Sequence, residues 1–276
     1  MNRLRAVFLL PSTLVLCVLV AAPLAIILSY SVLTRGAYGG VELPLSLESW
    51  LRLADPLYLG ILARTVAMAA AVTALCLALG FPLALFLSRA GNRKNLYLHL
   101  VMLPFWTSFL VRTYAWMFLL RDTGLINTTL IWLGLIQEPL SLLYTPGAVL
   151  AGLVYGHLPF MVLPLYAALE RMDRSLLEAA ADLGAQPWES LARVVIPLAS
   201  PGIRAGAVLV FIPCLGAYLT PDLLGGSKTV MAGNLIQNQF THARDWPFGS
   251  AASLALMAVI LVLLAVWVRR EKEPLL

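Results

Sequence analysis

Six long apolar runs separated by polar connections dominate the chain: 6–33, 65–88, 95–120, 139–169, 205–221 and 247–268. Each is close to or above the roughly 20 residues a helix needs to cross the hydrocarbon core of a bilayer. The pattern therefore predicts six transmembrane helices, the fifth being the shortest and extendable by tilt through Ile203 and Leu223. The first run follows Arg3 and Arg5 and contains "VAAP", which imitates a signal-peptide cleavage site. Its apolar length is too great for a signal-peptide core, so an uncleaved first helix is expected.

Composition agrees with that pattern. With 61% hydrophobic residues, 12% charged and a mean hydropathy of +0.87, the chain has too little polar surface to cover a water-soluble globule of its size. The net charge of +5 matters through its placement. Putting both termini inside places Arg3, Arg5, Arg89, Arg93, Lys94, Arg171, Arg174, Arg193, Arg204, Arg269, Arg270 and Lys272 on the cytoplasmic side. Arg35, Arg52, Arg121, Lys228 and Arg244 then lie outside, with Glu42, Glu48, Asp55, Asp122, Glu138, Asp222 and Asp245. This asymmetry points to a bilayer and gives no reason to invoke nucleic acid. Cys17, Cys76 and Cys214 each lie in an apolar run, with no CxxC pair and no histidine cluster to hold a metal.

Between the fourth and fifth runs lies a charged island, "EAAADLGAQPWESLARVVIP", Glu178 to Pro197. Ser175 and Glu178 have the spacing of a capping box, which predicts a helix start. Leu176, Leu177, Ala180 and Leu183 keep helical spacing, and Gly184 ends the helix by taking a positive φ. Pro187 fits the first turn of a second helix, with Trp188, Leu191 and Val195 on one face, which Pro197 is expected to stop. Two readings are open on these residues. A helical hairpin of this kind is either a cap on the bundle, with Glu178 no more than a helix cap, or a docking element for another protein.

Glu178-Ala179-Ala180, then Gly184, then Val194-Val195-Ile196-Pro197 resembles the "EAA…G…I-x-L-P" loop of permease subunits of bacterial ABC importers, with valine for isoleucine and isoleucine for leucine. The likeness continues through "LPFWTSFLVRTYAW" (103–116), "GLVYGHLPFMVLPLY" (152–166), "PDLLGGSKTVMAGNLIQNQF" (221–240) and "RDWPFGSA" (244–251), which resemble spermidine/putrescine importer permeases. The first ~60 residues share only an apolar span followed by an outer loop. The resemblance implies an all-α polytopic membrane protein with the type I ABC importer permease fold, residues 1–276 forming one transmembrane domain of the bacterial inner membrane. It implies a cytoplasmic coupling loop at about 170–204, in which Glu178, Ala179, Ala180, Asp182, Gly184 and Pro197 engage an ATPase. The implied partners are a second homologous permease, two ATPase subunits that bind the ATP, and a periplasmic substrate-binding protein. No cofactor of the chain's own is implied. Related permeases carry opines, other amino-acid derivatives and further small solutes, so another cargo is the alternative.

A polyamine path calls for carboxylates to meet ammonium groups and aromatic faces for cation–π contact. The candidates are Asp222 with Tyr218 one turn earlier, Asp245 with Trp246, and Phe105, Trp106 and Tyr114 in the third run. The plainer readings are lipid packing or interfacial anchoring for the rings and solvated loop ends for the acids. Arg112 lies within an apolar run, so it faces the bundle interior or snorkels to an interface. No span core holds an acid to pair with it.

The string "GGSKT" at 225–229 imitates a phosphate loop, but Ser227 separates Gly226 from Lys228 and position 222 is Asp. There is no H-E-x-x-H, no G-x-S-x-G and no Ser/His constellation, so no enzyme is expected. A stand-alone secondary transporter would show inverted repeats and intramembrane carboxylates, and the sequence has neither.

Overall fold

The computed structural model describes residues 2–173 and 175–271, so Arg174 and Lys272, counted above among the basic residues, lie outside the described residues. The chain divides into two compact units, one made of Met1–Ala63 with Ala232–Leu276 and the other of Arg64–Met231. Among the described residues, five helical stretches are long and apolar enough to cross a membrane: Thr13–Ser31, Pro56–Arg89, Pro146–Glu170, Pro187–Leu215 and Trp246–Trp267.

The first unit opens with α1 (Asn2–Ser31), whose most apolar window buries none of its residues, as befits a helix that meets lipid or another subunit. A short antiparallel hairpin follows, β1 (Leu33–Arg35) and β2 (Val41–Leu45), then α2 (Glu48–Leu53) and the start of α3 (Pro56–Arg89). The hairpin was not expected from the sequence. Gly39 and Gly40 take φ of 89° and 82° at its tip, where side-chain-bearing residues are strained. The tip is pinned to residues just before the last helix: Arg35 Nη2 donates to the Ala243 carbonyl at 2.7 Å and the Gly40 N–H to the Arg244 carbonyl at 2.9 Å. The unit also contains α11 (Ala232–Thr241) and α12 (Trp246–Glu271), and its small core joins Leu53, Phe248 and Ala252 with Tyr58, Ile236 and Ala255.

The second unit contains the remainder of α3, α4 (Lys94–Met102), α5 (Phe109–Leu120), α6 (Leu125–Trp132), α7 (Pro146–Glu170), α8 (Ser175–Asp182), α9 (Pro187–Ser190) and α10 (Ile196–Leu215). Its centre is the crossing of α7 and α10, where Met161, Val162, Leu165, Val210 and Leu215 are fully buried. Close approach depends on glycines in α10. A Cβ on Gly202 would sit 2.7 Å from both the Pro164 carbonyl oxygen and the Ala168 Cβ. Because backbone would have to yield, Gly202→Ala is expected to cost about 1–3 kcal/mol, measurable as a lowered thermal transition of the purified protein.

Three expectations are corrected here. The apolar run 95–120 is not one helix: α4 passes into a 3₁₀ turn at Leu103–Trp106, Thr107 is extended, and α5 starts afresh at Phe109. Pro104 lacks the N–H that would continue the ladder and its ring crowds the preceding turn. Six apolar runs thus yield five continuous long helices and one interrupted pair. Secondly, the helix expected over 205–221 ends at Leu215 and begins far earlier, since Pro187–Leu215 is continuously helical. Thirdly, Pro197 does not stop it. A π-helical turn at Leu191–Val195 precedes Pro197, and its wider register relieves the clash a proline makes with the carbonyl four residues back.

Candidate functional site

The charged island folds from the bottom up as a helix, a left-handed glycine and a second helix that runs on into an apolar span. α8 starts at Ser175, but the expected Ser175–Glu178 box is not what holds its first turn: the Ser175 N–H donates to Asp173 Oδ1 at 2.9 Å. The backbone N–H and hydroxyl of Ser175 hold the Asp173 carboxyl below its ordinary value. Because the folded value is depressed, this contribution is present above the ordinary carboxylate value and is lost as pH falls through the lowered one. Gly184 takes φ of +81°, and its N–H donates to the Ala181 carbonyl at 2.9 Å. The second helix is held at its start by a pairing the sequence reading missed, Gln186 N–H to Glu189 Oε2 at 3.0 Å. Q-x-x-E directly before and inside the first turn is the signal that reveals it.

Along the island the spacing does not translate into uniform burial: Leu183 and Trp188 are 88% and 64% exposed, whereas Val195 is buried. Ala179, Asp182 and Gly184 are exposed and Ala180 is half-buried. Glu178, though exposed, lines a crevice of about 400 Å³ with Ser88, Arg89, Glu170 and Met172. Beside that crevice Lys94 Nζ donates to Glu170 Oε1, tying the start of α4 to the end of α7 and holding the Lys94 ammonium above its ordinary value. The exposed surface of the island is therefore small residues flanked by Leu183, Trp188 and Asp182. Pro197, at the head of α10, is exposed too.

The residues expected along a cation path fall into three places. Tyr218 follows the end of α10, and the Asp222 N–H donates to the Tyr218 carbonyl at 3.0 Å, so the two share one turn. That turn leads into a π-helical segment at Pro221–Gly225, and the non-helical residues Gly216, Ala217 and Tyr218 break it from α10. Asp222 and Tyr218 are both exposed. Asp245 is only 2% exposed: its carboxylate accepts from Arg52 Nη1 at 2.8 Å and from the Phe248 N–H at 3.2 Å, at the head of α12. The reading of Asp245 as a solvated loop end is thus corrected, because it is buried against the chain's own donors. Burial lowers the Arg52 pKa, but hydrogen bonds to Asp245 and Tyr58 outweigh it and hold the guanidinium above its ordinary value. Arg52 also lies 4.4 Å from the centre of the Phe248 ring. Trp246 stacks on Tyr30 at 5.9 Å.

The third place surrounds Arg112. Its guanidinium carbon lies 5.0 Å from the centre of Phe105 and 5.7 Å from that of Phe109. Phe105 meets Phe160 edge-on at 5.1 Å, and Trp116 meets Tyr155 in the same manner at 5.7 Å. Trp106 and Tyr114 are turned outward and exposed. Phe109 and Trp116 were missed by the sequence reading, although Phe109, Arg112 and Trp116 at i, i+3 and i+7 mark one helical face. Elsewhere, Gly226–Lys228 of the "GGSKT" string forms a 3₁₀ turn at the rim of an open cavity of about 630 Å³ with Arg121, Asp122 and Tyr144. Among the described residues no group of His, Cys, Asp or Glu is placed to hold a metal.

Comparison with known proteins bears on this arrangement. Residues 10–271 match the model of the family described as binding-protein-dependent transport system inner membrane component. The chain is 44% identical over 254 residues to the spermidine/putrescine transport system permease protein PotB of Escherichia coli (strain K12), covering 91% of this chain and 92% of that protein. It is 41% identical to the PotB of Haemophilus influenzae over 254 residues, covering 92% and 89% respectively. Among solved structures, a bacterial ABC transporter involved in the import of the acidic polysaccharide alginate superposes with a TM-score of 0.71 at 18% identity, covering 98% of this chain and 96% of that one. At that identity the likeness speaks for the fold.

Proposed function

Since the chain belongs to the family of binding-protein-dependent transport system inner membrane components, we propose that it is a permease subunit of an ATP-driven importer of polyamines such as spermidine and putrescine. The observation that carries this reading is the extent of likeness to polyamine permeases, 44% identity across 91% of the chain, together with the compact island that such a subunit needs for contact with its energy source. Both termini are cytoplasmic on this reading, from the bias of basic residues. Residues 1–276 act as one permease domain in the bacterial inner membrane, beside a second homologous permease. The island, about 170–204, seats on one of two ATPase subunits, which bind the ATP, and a periplasmic binding protein delivers cargo on the other side. Ala179, Ala180, Asp182, Leu183 and Trp188 make the contact. Glu178 orients α8 from the adjoining crevice, Gly184 sets the turn, and Pro197 lies where the second helix enters the membrane. The continuous helix Pro187–Leu215 carries a displacement at the island directly to the membrane crossing, as a rigid element does in a hinge or shear transition.

Proteoliposomes holding this chain alone are expected to hydrolyse no ATP and take up no spermidine, since the sequence contains neither a phosphate loop nor an ion-coupling carboxylate in its spans. Saturable uptake by the single subunit would identify a secondary transporter instead.

Along the path, Asp222 and Tyr218 form the entry contact for an ammonium group, while Trp246, Trp106 and Tyr114 are secondary candidates. Asp245, already bound to Arg52, serves the fold. Because Asp222 is exposed, its attraction for a cation is screened. Asp222→Asn is therefore expected to lower uptake of spermidine at limiting concentration only about three- to tenfold. Basal ATPase activity reports on assembly, and unchanged uptake would remove Asp222 from the path.

A further inference from the structure

We propose that Phe105, Phe109, Trp116 and Tyr155 form a binding site for an organic ammonium group, and that Arg112 occupies this site as an internal stand-in which the ligand displaces. Three observations converge on it. The Arg112 guanidinium lies over two ring faces, at 5.0 Å from Phe105 and 5.7 Å from Phe109, within the ~6 Å that a cation–π contact needs. Its Nε and Nη1 are buried and make no hydrogen bond among the described residues. No carboxylate holds the charge, since the cavity that Arg112 lines with Phe109, Trp116, Tyr155 and Thr220 has no acidic residue in its wall. A cation held by rings alone is weakly anchored, whereas one fixed for structural reasons within a membrane is normally paired. The space left in the cavity is only about 10 Å³, about that of one water, so the guanidinium itself fills the place. Withdrawal of Arg112 would leave the two phenylalanine faces and the cavity wall to a new cation. The wall also offers an unspent hydroxyl, because Thr220 Oγ1 is buried without a hydrogen-bond partner. A hydroxyl oxygen accepts the N–H that an ammonium must place. Phe109 and Tyr155 are partly exposed, which leaves a side open for exchange.

The cage deepens the polyamine reading, on which it rests for the identity of the natural ligand. Rings take an ammonium without binding it as tightly as a carboxylate would, and release matters in a transport path. Arg112 keeps the rings covered until cargo arrives, and like charge makes occupation by the two cations mutually exclusive.

Chemical rescue in the assembled transporter tests this without requiring transport. Arg112→Ala empties the cage, so millimolar n-butylammonium or ethylguanidinium is expected to raise the thermal transition of that variant by about 2–4 °C, and not that of the wild type. Sodium chloride at equal ionic strength is the control, and adding Phe109→Leu should abolish the shift. Stabilisation by neither probe, by ethylguanidinium alone, or undiminished by Phe109→Leu would overturn the proposal. Arg112→Met, which keeps bulk and removes charge, supplies the second readout. Spermidine uptake with binding protein present and spermidine limiting should rise about tenfold, the change expected when a like charge of ~1.4 kcal/mol is removed. Unchanged or abolished uptake in an assembled Arg112→Met complex would contradict displacement. If n-butylammonium binds but wild type carries no spermidine, the polyamine reading fails and the cage stands.

Discussion

Gly184→Pro is expected to reduce ATP-driven uptake by more than about tenfold while the subunit remains inserted and assembled. Gly184 stands at φ of +81°, whereas proline fixes φ near −65°. The substitution also deletes the N–H that donates to the Ala181 carbonyl at 2.9 Å. The chain must then leave α8 in another direction, which displaces Trp188 and the head of the Pro187–Leu215 helix. Gly184→Ala separates conformation from crowding, because a Cβ at this position would meet nothing within 4 Å. The alanine variant therefore carries only the left-handed backbone penalty, about 1 kcal/mol, and should retain most uptake. Uptake and ATP hydrolysis measured together in proteoliposomes check both variants. Normal coupled uptake by Gly184→Pro would remove the island from the path of energy.

The second large effect is structural. Arg52→Ala leaves the Asp245 carboxylate, 2% exposed, without its cation. Removal of one partner of a buried pair costs about 3–5 kcal/mol, but the Arg52 side chain is 40% exposed, so a cost of roughly 2–3 kcal/mol is expected. Stacking on Phe248 is lost as well. The measurement is the thermal transition and yield of the purified complex. Arg52→Lys should recover part of the loss, since it restores charge without the planar contact to the ring. If Arg52→Ala leaves stability unchanged but lowers uptake, Asp245 belongs to the cargo path after all.

These two sites differ in how far the sequence announces them. The island is legible because its signals are local: a glycine at the end of an amphipathic helix, a proline at the start of the next, and charge between greasy runs. The Arg52–Asp245 pair is not legible, since its partners are 193 residues apart and no periodicity links them. The long spans are legible from length alone, but their interruptions are less so. Pro104 breaks the third run while Pro23, Pro82, Pro159 and Pro164 lie inside helices, so a proline alone does not decide. Thr107 extended and Ser108 at the head of α5 complete the break. Pro197 misleads for the opposite reason, because a π turn absorbs it. Phe109, Arg112 and Trp116 announce one helical face, whereas Tyr155 and Phe160 reach the same place from α7 and only the fold supplies them.

The most direct measurement is spermidine accumulation in proteoliposomes that hold this chain, the second permease and the two ATPases, with ATP enclosed and the binding protein added outside. Saturable uptake that requires ATP, the binding protein and this chain, and that putrescine competes for, is the expected result. Uptake driven by an ion gradient without ATP, or ATP-driven uptake of a different solute with spermidine excluded, would contradict it.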